Sequence, residues 1–469
     1  MSANQVTCRE KDVEVGICLK TNRISPARRL MPELLEMIFR YSASENQSAV
    51  EALKLSHVSQ SWRATALEIS SLWSTISIGL SQDMLSNSTL QNYRSLLQHQ
   101  LKFSRERPLD VDVLVYFDQI LPRDSNAERD IRGLLQDLVS DSHRWRRANI
   151  SILTCNRLSH RICLKHSPLL EELRMSLSSA DHPWHCVHIG KDTCPKLARL
   201  ELTGDFRVES AGQNPSLRHL SLRPLNSMSP FLTMTDYADI LRRSPGLETV
   251  SLRCLGHTRT CIPSLSSTIC MPSLRELRVE HETAGKATPN INPSTAANNA
   301  ISLLSQLTLP SLEKLKISIQ TKDVRVDAGR ELRALIERSC PPLKWLVIEG
   351  SHVSNLDLIL ALRFLPNLTH LRLKGFSRYL ELLLDELTLR ETTSTPTCPN
   401  LQSIRVSDCI VHDWSVIARM ILSRWNNCDL ASSTESSHFE FKEYGPNAFL
   451  PQKILRCCTD GLCVEVHSQ

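Results

Sequence analysis

Glycine is scarce in this sequence, at 14 of 469 residues, so the chain has little material for the turns that cradle phosphate groups. The phosphate-loop patterns GxGxxG and GxxxxGKS/T do not occur, and neither does the GxSxG turn that presents a nucleophilic serine. Serine, histidine and aspartate are plentiful, but no arrangement of them singles out a nucleophile and its base. The sequence therefore predicts a protein that is not an enzyme, with no catalytic residue and no cofactor.

Long apolar runs are missing too. No stretch reaches the roughly 18 successive apolar residues that cross a bilayer, and the N-terminal MSANQVTCREKDVEVGICLK scatters charges where a secretory signal has an apolar core. The 16 cysteines are dispersed along the chain, which favours reduced thiols over a disulfide framework. We therefore expect a cytoplasmic or nuclear protein with no membrane partner.

The formal net charge of +5 is mild for this length and neither demands nor excludes a nucleic-acid partner. The basic groups are short and lack interleaved aromatic residues, as at Arg144, Arg146 and Arg147 and at Arg242 and Arg243. Such groups are typical of solvated faces. We expect no nucleic-acid partner.

What the sequence does contain is one phrase repeated many times, Pro-x-apolar-x-x-apolar-x-apolar. The copies begin at Pro168, Pro195, Pro215, Pro245, Pro272, Pro310, Pro341, Pro366 and Pro399. A further copy without the proline is WRRANISI, from Trp145. Proline stops the preceding element, and the final apolar-x-apolar pair predicts a short strand with one buried face.

A single strand of this kind cannot bury its apolar face alone, but stacked copies form a continuous parallel sheet. Helical patterns lie between some copies, namely DAGRELRALIERSC, NLDLILALRFL and DWSVIARMILSRW, from Asp327, Asn355 and Asp413. The predicted unit is strand, connection, helix. Residues 145–425 thus resemble a leucine-rich-repeat array, which implies an α/β solenoid with a parallel sheet on its concave side. The copies are unevenly spaced, so we expect an irregular array.

The region before the array is organised around two tryptophans in HVSQSWRATALEISSLW, Trp62 and Trp73. Leu55, Val58, Trp62 and Ala66 are spaced to share one face of a helix. Upstream, RLMPELLEMIFRY places a proline at a first helical turn with a glutamate beside it at the positive end.

Residues 24 to about 73 resemble the F-box, in particular F-box proteins abundant in mushroom-forming fungi. Met31 stands where that family often has a first proline. The matching residues are Leu30, Pro32, Glu33, Leu35, Ile38, Phe39, Val58, Ser61, Trp62, Arg63, Leu72 and Trp73.

The resemblance implies an all-helical head that docks a Skp-type adaptor and, through it, a cullin. The chain would then be the substrate-recognition subunit of an SCF-type cullin–RING ubiquitin ligase. The expected adaptor-binding residues are Leu30, Pro32, Ile38, Val58 and Trp62, whereas Phe39 and Trp73 are expected in the core. Two alternatives stay open: that these residues only form a local core, and that the chain is a repeat scaffold not coupled to ubiquitin transfer.

In the predicted array, the residues between the buried leucines line the concave face, and most of them are polar. Trp345 with Val347 is the exception, and tryptophan is frequent at binding hot spots. Basic residues surround this pair, which favours an acidic or phosphorylated protein ligand. The predicted substrate-binding residues are Lys314, Lys316, Trp345, Val347, His370 and Arg372. The alternative is that a loop or the tail covers Trp345.

The stretch DHPWHCVHIGKDTC collects five potential metal ligands. Ligand pairs of zinc sites usually come twice, whereas this is one crowded cluster in a predicted loop between repeats. We therefore predict no metal ligands. The residues are His182, His185, Cys186, His188 and Cys194, and the same prediction applies to Cys457, Cys458 and Cys463.

The predicted organisation has five segments. These are a flexible tail over residues 1–23, the F-box domain over 24–78, linking helices with the first strand LDVDVLVYF over 79–144, the repeat array over 145–425, and a C-terminal cap or tail over 426–469.

Overall fold

The structure is a computed structural model, and the contacts in it divide the chain into two compact units, Met1–Ile152 and Leu153–Gln469. The predicted tail 1–23 lies outside the described residues. Those are 30–46, 49–81, 87–117, 126–154, 162–164, 166–178, 185–210, 212–224, 232–255, 268–282, 301, 303–320, 328–350, 353–375, 380–390, 396–409, 413–425, 438–443 and 463–468.

The first unit begins with three short helices and continues with alternating strands and helices. Its elements are α1 (Pro32–Asn46), α2 (Ala49–Ser56), α3 (Gln60–Glu68), a 3-10 turn (Ser70–Trp73), β1 (Thr75–Ser81), α4 (Asn87–Phe103), β2 (Leu109–Phe117), α5 (Asn126–Ser140), a second 3-10 turn (Ser142–Arg144) and β3 (Trp145–Thr154). The division between the two units falls inside β3.

The three opening helices enclose a small core of their own. Phe39 of α1 and Trp73 of the 3-10 turn are buried in this core, as predicted, and Leu35, Ala52 and Ala66 pack with them. The Trp73 Nε1 donates a hydrogen bond to the Ala66 carbonyl at 2.8 Å, so its polar atom is satisfied.

The first strand is not LDVDVLVYF but the segment TISIGLS, Thr75–Ser81, which begins inside the predicted all-helical head. Its Ile76, Ile78 and Leu80 alternate with exposed positions and are buried, the period of a half-buried strand. LDVDVLVYF is confirmed as a strand, β2, and pairs in parallel with β1.

The second unit is built largely from the repeated phrase. Its elements are β4 (Cys163–Leu164), β5 (Glu172–Ser178), β6 (His185–Ile189), β7 (Arg199–Gly204), β8 (Phe206–Ser210), β9 (His219–Arg223), α6 (Met234–Arg243), β10 (Thr249–Leu255), β11 (Ile269–Cys270), β12 (Glu276–Glu282), β13 (Leu307–Thr308), β14 (Lys314–Gln320), α7 (Gly329–Ser339), β15 (Trp345–Glu349), α8 (Asn355–Leu362), β16 (His370–Lys374), α9 (Leu380–Glu386), β17 (Ser403–Cys409), α10 (Trp414–Trp425), β18 (His438–Glu443) and β19 (Cys463–Ser468).

One large parallel sheet runs through this unit in the order β5-β7-β9-β10-β12-β14-β15-β16-β17-β18-β19. The chain therefore has an α/β fold. In all nine copies of the phrase the apolar pair lies in a strand of this sheet and is buried, for example Leu315 with Ile317 and Leu346 with Ile348. The strand prediction is confirmed. Strand pairing keeps the copies in phase, with Leu315 opposite Leu346.

The connections between strands are more varied than predicted. The three predicted helices are present as α7, α8 and α10. Two further connections also carry helices, α6 and α9. Other connections carry short strands: β4, β6 and β8 form a parallel three-stranded sheet, and β11 pairs with β13. The prediction of a loop around HCVHI is therefore wrong, because the segment is the strand β6, in which His185, Cys186, Val187 and Ile189 are all buried.

The C-terminal segment extends the sheet. Residues 426–469, predicted as a cap or tail, contain β18 and β19, which pair in parallel with β17 and with each other. Within the described parts of the chain, no helix is long and apolar enough to cross a membrane.

Candidate functional site: two protein-binding surfaces

Helix α1 has two apolar faces. Leu35 and Phe39 point into the core and are 2% and 0% exposed, whereas Ile38 is 44% exposed. Spacings of three and four residues place a second set of apolar side chains on the solvent side of the helix. This head surface consists of Met31, Leu34, Met37, Ile38 and Tyr41, all of them exposed. A helix with apolar residues on both sides has more apolar surface than its own small core buries.

The five predicted adaptor-binding residues are divided between surface and core. Ile38 is exposed, and so is Val58, at 59%, just before α3. Leu30 and Trp62 are half-buried and pack against the head core, where the Trp62 ring lies 5.0 Å from that of Phe39. Pro32 is the first residue of α1, but its side chain lies outside the described part of the chain. Ile38 and Val58 are therefore the predicted residues that are most available to a partner.

Four members of the head surface were missed by the sequence analysis, namely Met31, Leu34, Met37 and Tyr41. The sequence does contain a pattern that predicts them. These residues recur at three- and four-residue spacings in MPELLEMIFRY, on a different side of the helix from the core residues Leu35 and Phe39. Met31 was treated only as a departure from the F-box pattern. Its carbonyl accepts the backbone N–H groups of Leu34 and Leu35 at 3.0 and 3.1 Å, so it still begins the helix while its side chain stays exposed.

The six predicted substrate-binding residues come together on one face of the large sheet. Parallel register places Lys314, Trp345 and His370 side by side on β14, β15 and β16. Two residues further along the same strands lies a second row, and alternation puts it on the same face. That row consists of Lys316, Val347 and Arg372. We call these two rows the sheet surface.

Trp345 is the centre of the sheet surface and keeps 43% of its side chain exposed. Its ring stacks on His370 with ring centroids 3.6 Å apart and planes only 6° from parallel. On the other side, Lys314 Nζ lies 6.0 Å from the ring centroid. The His370 ring is in turn within 2.8 Å of Thr369 Oγ1. Stacking between neighbouring strands fixes the indole in place, so a ligand meets a preformed aromatic platform.

Most of the cations around Trp345 already have carboxylate partners. Lys316 Nζ lies 3.5 Å from both Glu280 and Glu349, and Arg372 Nε lies 3.9 Å from Glu349. Within the described residues Lys314 takes part in no ion pair. An acidic ligand would have to compete with Glu349 for Lys316 and Arg372, so Lys314 is the residue best placed to attract one.

A polar groove of about 270 Å³ lies on the same face over β7, β9, β10 and β12. The floor of the groove is formed by small outward-facing side chains, among them Ser221, Thr249 and Ser251. Larger side chains such as Glu201 and Arg278 form its walls. The sequence analysis placed these residues on the face but did not predict a depression. The signal was the run of serine and threonine at successive outward positions.

In the basic group near β3, the prediction of a solvated face fails for Arg144, whereas the side chains of Arg146 and Arg147 remain 43% and 53% exposed. Arg144 is buried and donates hydrogen bonds to Ser104 Oγ at 2.7 Å and to the Arg107 carbonyl at 3.1 Å. Arg146 and Arg147 both pair with Asp110. Burial acts to raise the pKa of Asp110, but the hydrogen bonds from these two arginines outweigh it and lower the pKa. The sequence pattern could not predict these hydrogen bonds, because the acceptors Ser104 and Asp110 are more than thirty residues away from the arginines in sequence.

The residues of DHPWHCVHIGKDTC separate in the structure. His185 Nδ1 accepts the backbone N–H of Ile162 at 3.2 Å on the core side of β6. Cys194 is buried, which raises the pKa of its thiol, and it donates to the His188 carbonyl. Cys186 and His188 lie on the other side of β6. His182, Cys457 and Cys458 lie outside the described residues, as does the side chain of Cys463.

Comparison of the chain with models of known protein families found no match, and comparison with curated proteins found none either. Its function is therefore inferred from the residues and geometry of the head surface and the sheet surface, each taken by itself.

Proposed function

We propose that this protein is the substrate-recognition subunit of an SCF-type cullin–RING ubiquitin ligase. The helical head is an F-box that docks a Skp-type adaptor, and the repeats form an irregular leucine-rich-repeat array that binds a protein substrate. The chain itself supplies no catalytic group. The observation that carries the proposal is the second apolar face of α1, which is exposed although the same helix also buries a core face.

The physical reason is the free energy of burying this apolar face. Fully burying one large aliphatic side chain contributes about 1.5–3 kcal/mol. Met31, Leu34, Met37 and Ile38 could therefore together provide several kcal/mol toward binding an apolar groove on an adaptor. A head of three short helices cannot fold over these side chains itself, because its core is already filled by residues such as Phe39 and Trp73.

The sheet surface supports the second half of the proposal. An exposed aromatic platform on rigid strands is typical of a protein-binding hot spot. We propose that Trp345 receives an apolar side chain of the substrate and that Lys314 attracts a neighbouring acidic or phosphorylated group. In this role the protein would work in the cytoplasm or nucleus, where cullin ligases act.

The test is direct binding of the purified chain to a Skp-type adaptor. Ile38→Glu combined with Val58→Glu places two charges at exposed apolar positions, and we expect affinity to fall at least tenfold. Trp62 is left unchanged, because its contact with Phe39 would confound lost binding with an unfolded head. Leu356→Glu with Leu382→Glu is the matched control, since both residues are exposed and apolar but lie in the second unit.

The outcome for the wild-type chain separates this function from its alternative. Failure of the intact, folded chain to bind any Skp-type adaptor would leave a leucine-rich-repeat scaffold not coupled to ubiquitin transfer. If the adaptor binds, a reconstituted ligase should ubiquitinate a captured partner with the wild type and not with the double head variant.

A further inference from the structure

The small sheet formed by β4, β6 and β8 has one face packed in the core and an opposite face on which Cys186 is buried, at 1% exposed, and Cys163 and His188 are half-buried. Leu164, Val187 and Val208 occupy the buried face. Strand register then places Cys163 opposite Cys186 on the other face, and His188 two residues beyond Cys186 on the same side. Three potential metal ligands thus meet on adjacent strands.

The distances suit a tetrahedral metal ion. The Cys186 Sγ and His188 Nε2 atoms are 3.5 Å apart. Zinc–sulfur bonds of about 2.3 Å and zinc–nitrogen bonds of about 2.0–2.1 Å at tetrahedral angles separate such atoms by about 3.5 Å. The Cys163 Sγ completes a set whose three ligand atoms all lie within 4.8 Å of one another. Two sulfur ligands of one tetrahedral zinc ion are about 3.8 Å apart. A shift of less than about 1 Å would bring the sulfur atoms of Cys163 and Cys186 to that separation.

The histidine is held in the orientation that a metal ligand needs. His188 Nδ1 lies 3.1 Å from Glu209 Oε2, on the next strand of the same sheet, so Nε2 is the nitrogen turned toward the sulfurs. The opposite oxygen of Glu209 is 3.0 Å from Arg207 Nε, which fixes the carboxylate in turn. A carboxylate on the far nitrogen is the usual partner of a zinc-binding histidine, because it sets the tautomer and raises the basicity of the ligand.

We infer that Cys163, Cys186 and His188 bind one Zn²⁺ ion, with a solvent molecule as the fourth ligand. On binding, the two thiols each release a proton, and the thiolates with the neutral imidazole form a site of zero net charge. Two thiolates and an imidazole suit zinc among the common divalent ions. The ion would link β4 to β6. Because β4 has only two residues, few backbone hydrogen bonds hold it to β6; one beside it runs from Cys186 N to the Ile162 carbonyl.

The sequence analysis missed this set because it searched for ligands at short spacing. It grouped Cys186 and His188 with His185 and Cys194, which point elsewhere. Cys163 lies far from them in the chain and becomes a neighbour only through strand pairing.

The first experiment is elemental analysis of the full-length chain purified in a phosphine reductant. We expect one zinc per chain in the wild type and loss of that zinc in Cys163→Ala and in His188→Ala. Cys270→Ala and Cys340→Ala are matched controls, since both change exposed cysteines of the same unit, and they should keep the zinc. Substitution with Co²⁺ should give a thiolate-to-cobalt charge-transfer band in the near ultraviolet that Cys163→Ala weakens.

The second experiment tests the orienting carboxylate in chains that keep all three ligands. Glu209→Gln should weaken zinc binding by about 10–100-fold in competition with a chelator. Arg207→Gln removes the ion pair to Glu209 but leaves its contact with His188, and it should change the affinity much less. Zinc should raise Tm in the wild type and not in His188→Ala.

Three outcomes would overturn the inference. One is absence of bound metal from the folded wild type after incubation with Zn²⁺. Another is an equal zinc content in the wild type and both ligand variants, which would place the ion elsewhere. The third is a Cys163–Cys186 disulfide that forms in preference to metal binding under mild reducing conditions.

Discussion

At the residue scale, the identity of one side chain decides what the sheet face can bind. Trp345 occupies an outward position that carries a polar or charged residue in most other copies of the phrase. Because the ring is stacked on His370, its exposed area is ordered before a ligand arrives, which lowers the entropy cost of binding.

Replacing this side chain is the first prediction. Trp345→Ala should weaken substrate binding by about 2 kcal/mol or more, a typical loss at a hot spot. Quantitative affinity capture with wild type and variant side by side measures the effect. Leu382→Ala, at another exposed apolar position of the same unit, is the control. Recovery of the same partners in equal amounts by both chains would show that the ligand docks elsewhere.

A second residue-scale prediction concerns His281, a core histidine of β12. Burial lowers the pKa of its imidazole, although a hydrogen bond from Nδ1 to the Cys254 carbonyl at 3.0 Å acts in the opposite direction. The folded chain therefore holds the ring neutral at a pH at which the unfolded chain, with an ordinary pKa of about 6.5, becomes protonated. Stability should fall as the pH drops below about 6.5, and the loss should level off below the folded pKa.

The measurement is the free energy of unfolding of the wild type and of His281→Gln between about pH 8 and pH 5. The other histidines contribute equally to both chains, so the difference between the two pH profiles isolates His281. We expect the variant to have the shallower profile. Parallel profiles would mean that His281 titrates alike in the folded and unfolded states.

At the scale of the element, the strands of the large sheet end in ways that the repeated phrase does not encode. Gly350 directly follows β15 with a φ of +131°, and its backbone N–H donates to the Lys374 carbonyl at 2.7 Å. A Cβ added there would lie 2.2 Å from the Ile319 carbonyl oxygen of the neighbouring segment. The position requires glycine for both its backbone angle and its space.

Gly350→Ala should therefore destabilise the second unit by at least about 1–3 kcal/mol, the cost of a strained backbone angle, with the clash in addition. Chemical denaturation followed by circular dichroism measures the loss. Gly79→Ala is the control, because Gly79 lies within β1, has no positive φ, and its added Cβ would meet nothing within 4 Å. An unchanged midpoint for Gly350→Ala would contradict the requirement for glycine.

At the scale of the whole molecule, the C-terminal strands protect the end of the large sheet. β18 pairs with β17 from Ser403 to Cys409, with a bulge at Asp408, and Glu440 of β18 is buried beside Arg405 of β17. Without β18 and β19, β17 would present unpaired backbone groups at an exposed edge, which is a template for aggregation.

Removal of residues 426–469 should therefore lower Tm and increase light scattering on heating. Removal of residues 1–23, predicted as a tail, is the control and should change neither. A truncated chain that is as stable and as monomeric as the full chain would show that the last two strands add nothing to the sheet.

The repeated phrase was enough to predict nine strands of the large sheet, those that contain its nine copies, but not β18 and β19. Each copy of the phrase predicts one strand from local sequence alone. Its proline sets an extended backbone where the strand begins, and a period of two assigns each side chain to one face of the sheet. Repetition then fixed the register, so Trp345, Lys314 and His370 could be placed on one face before the structure was known. The same local periodicity predicted Phe39 and Trp73 as core residues of the head.

Contacts between residues far apart in the chain depend on how distant segments pack and do not follow from local pattern. Arg424 follows a helical pattern like any surface arginine, yet it is buried and donates to the carbonyls of Leu387, Thr397 and Cys398. Cys163 meets Cys186 and His188 in the same way, through strand pairing. Local periodicity reports which side of an element a residue occupies. The partner on that side depends on how distant segments pack, and burial then demands that each polar group find one.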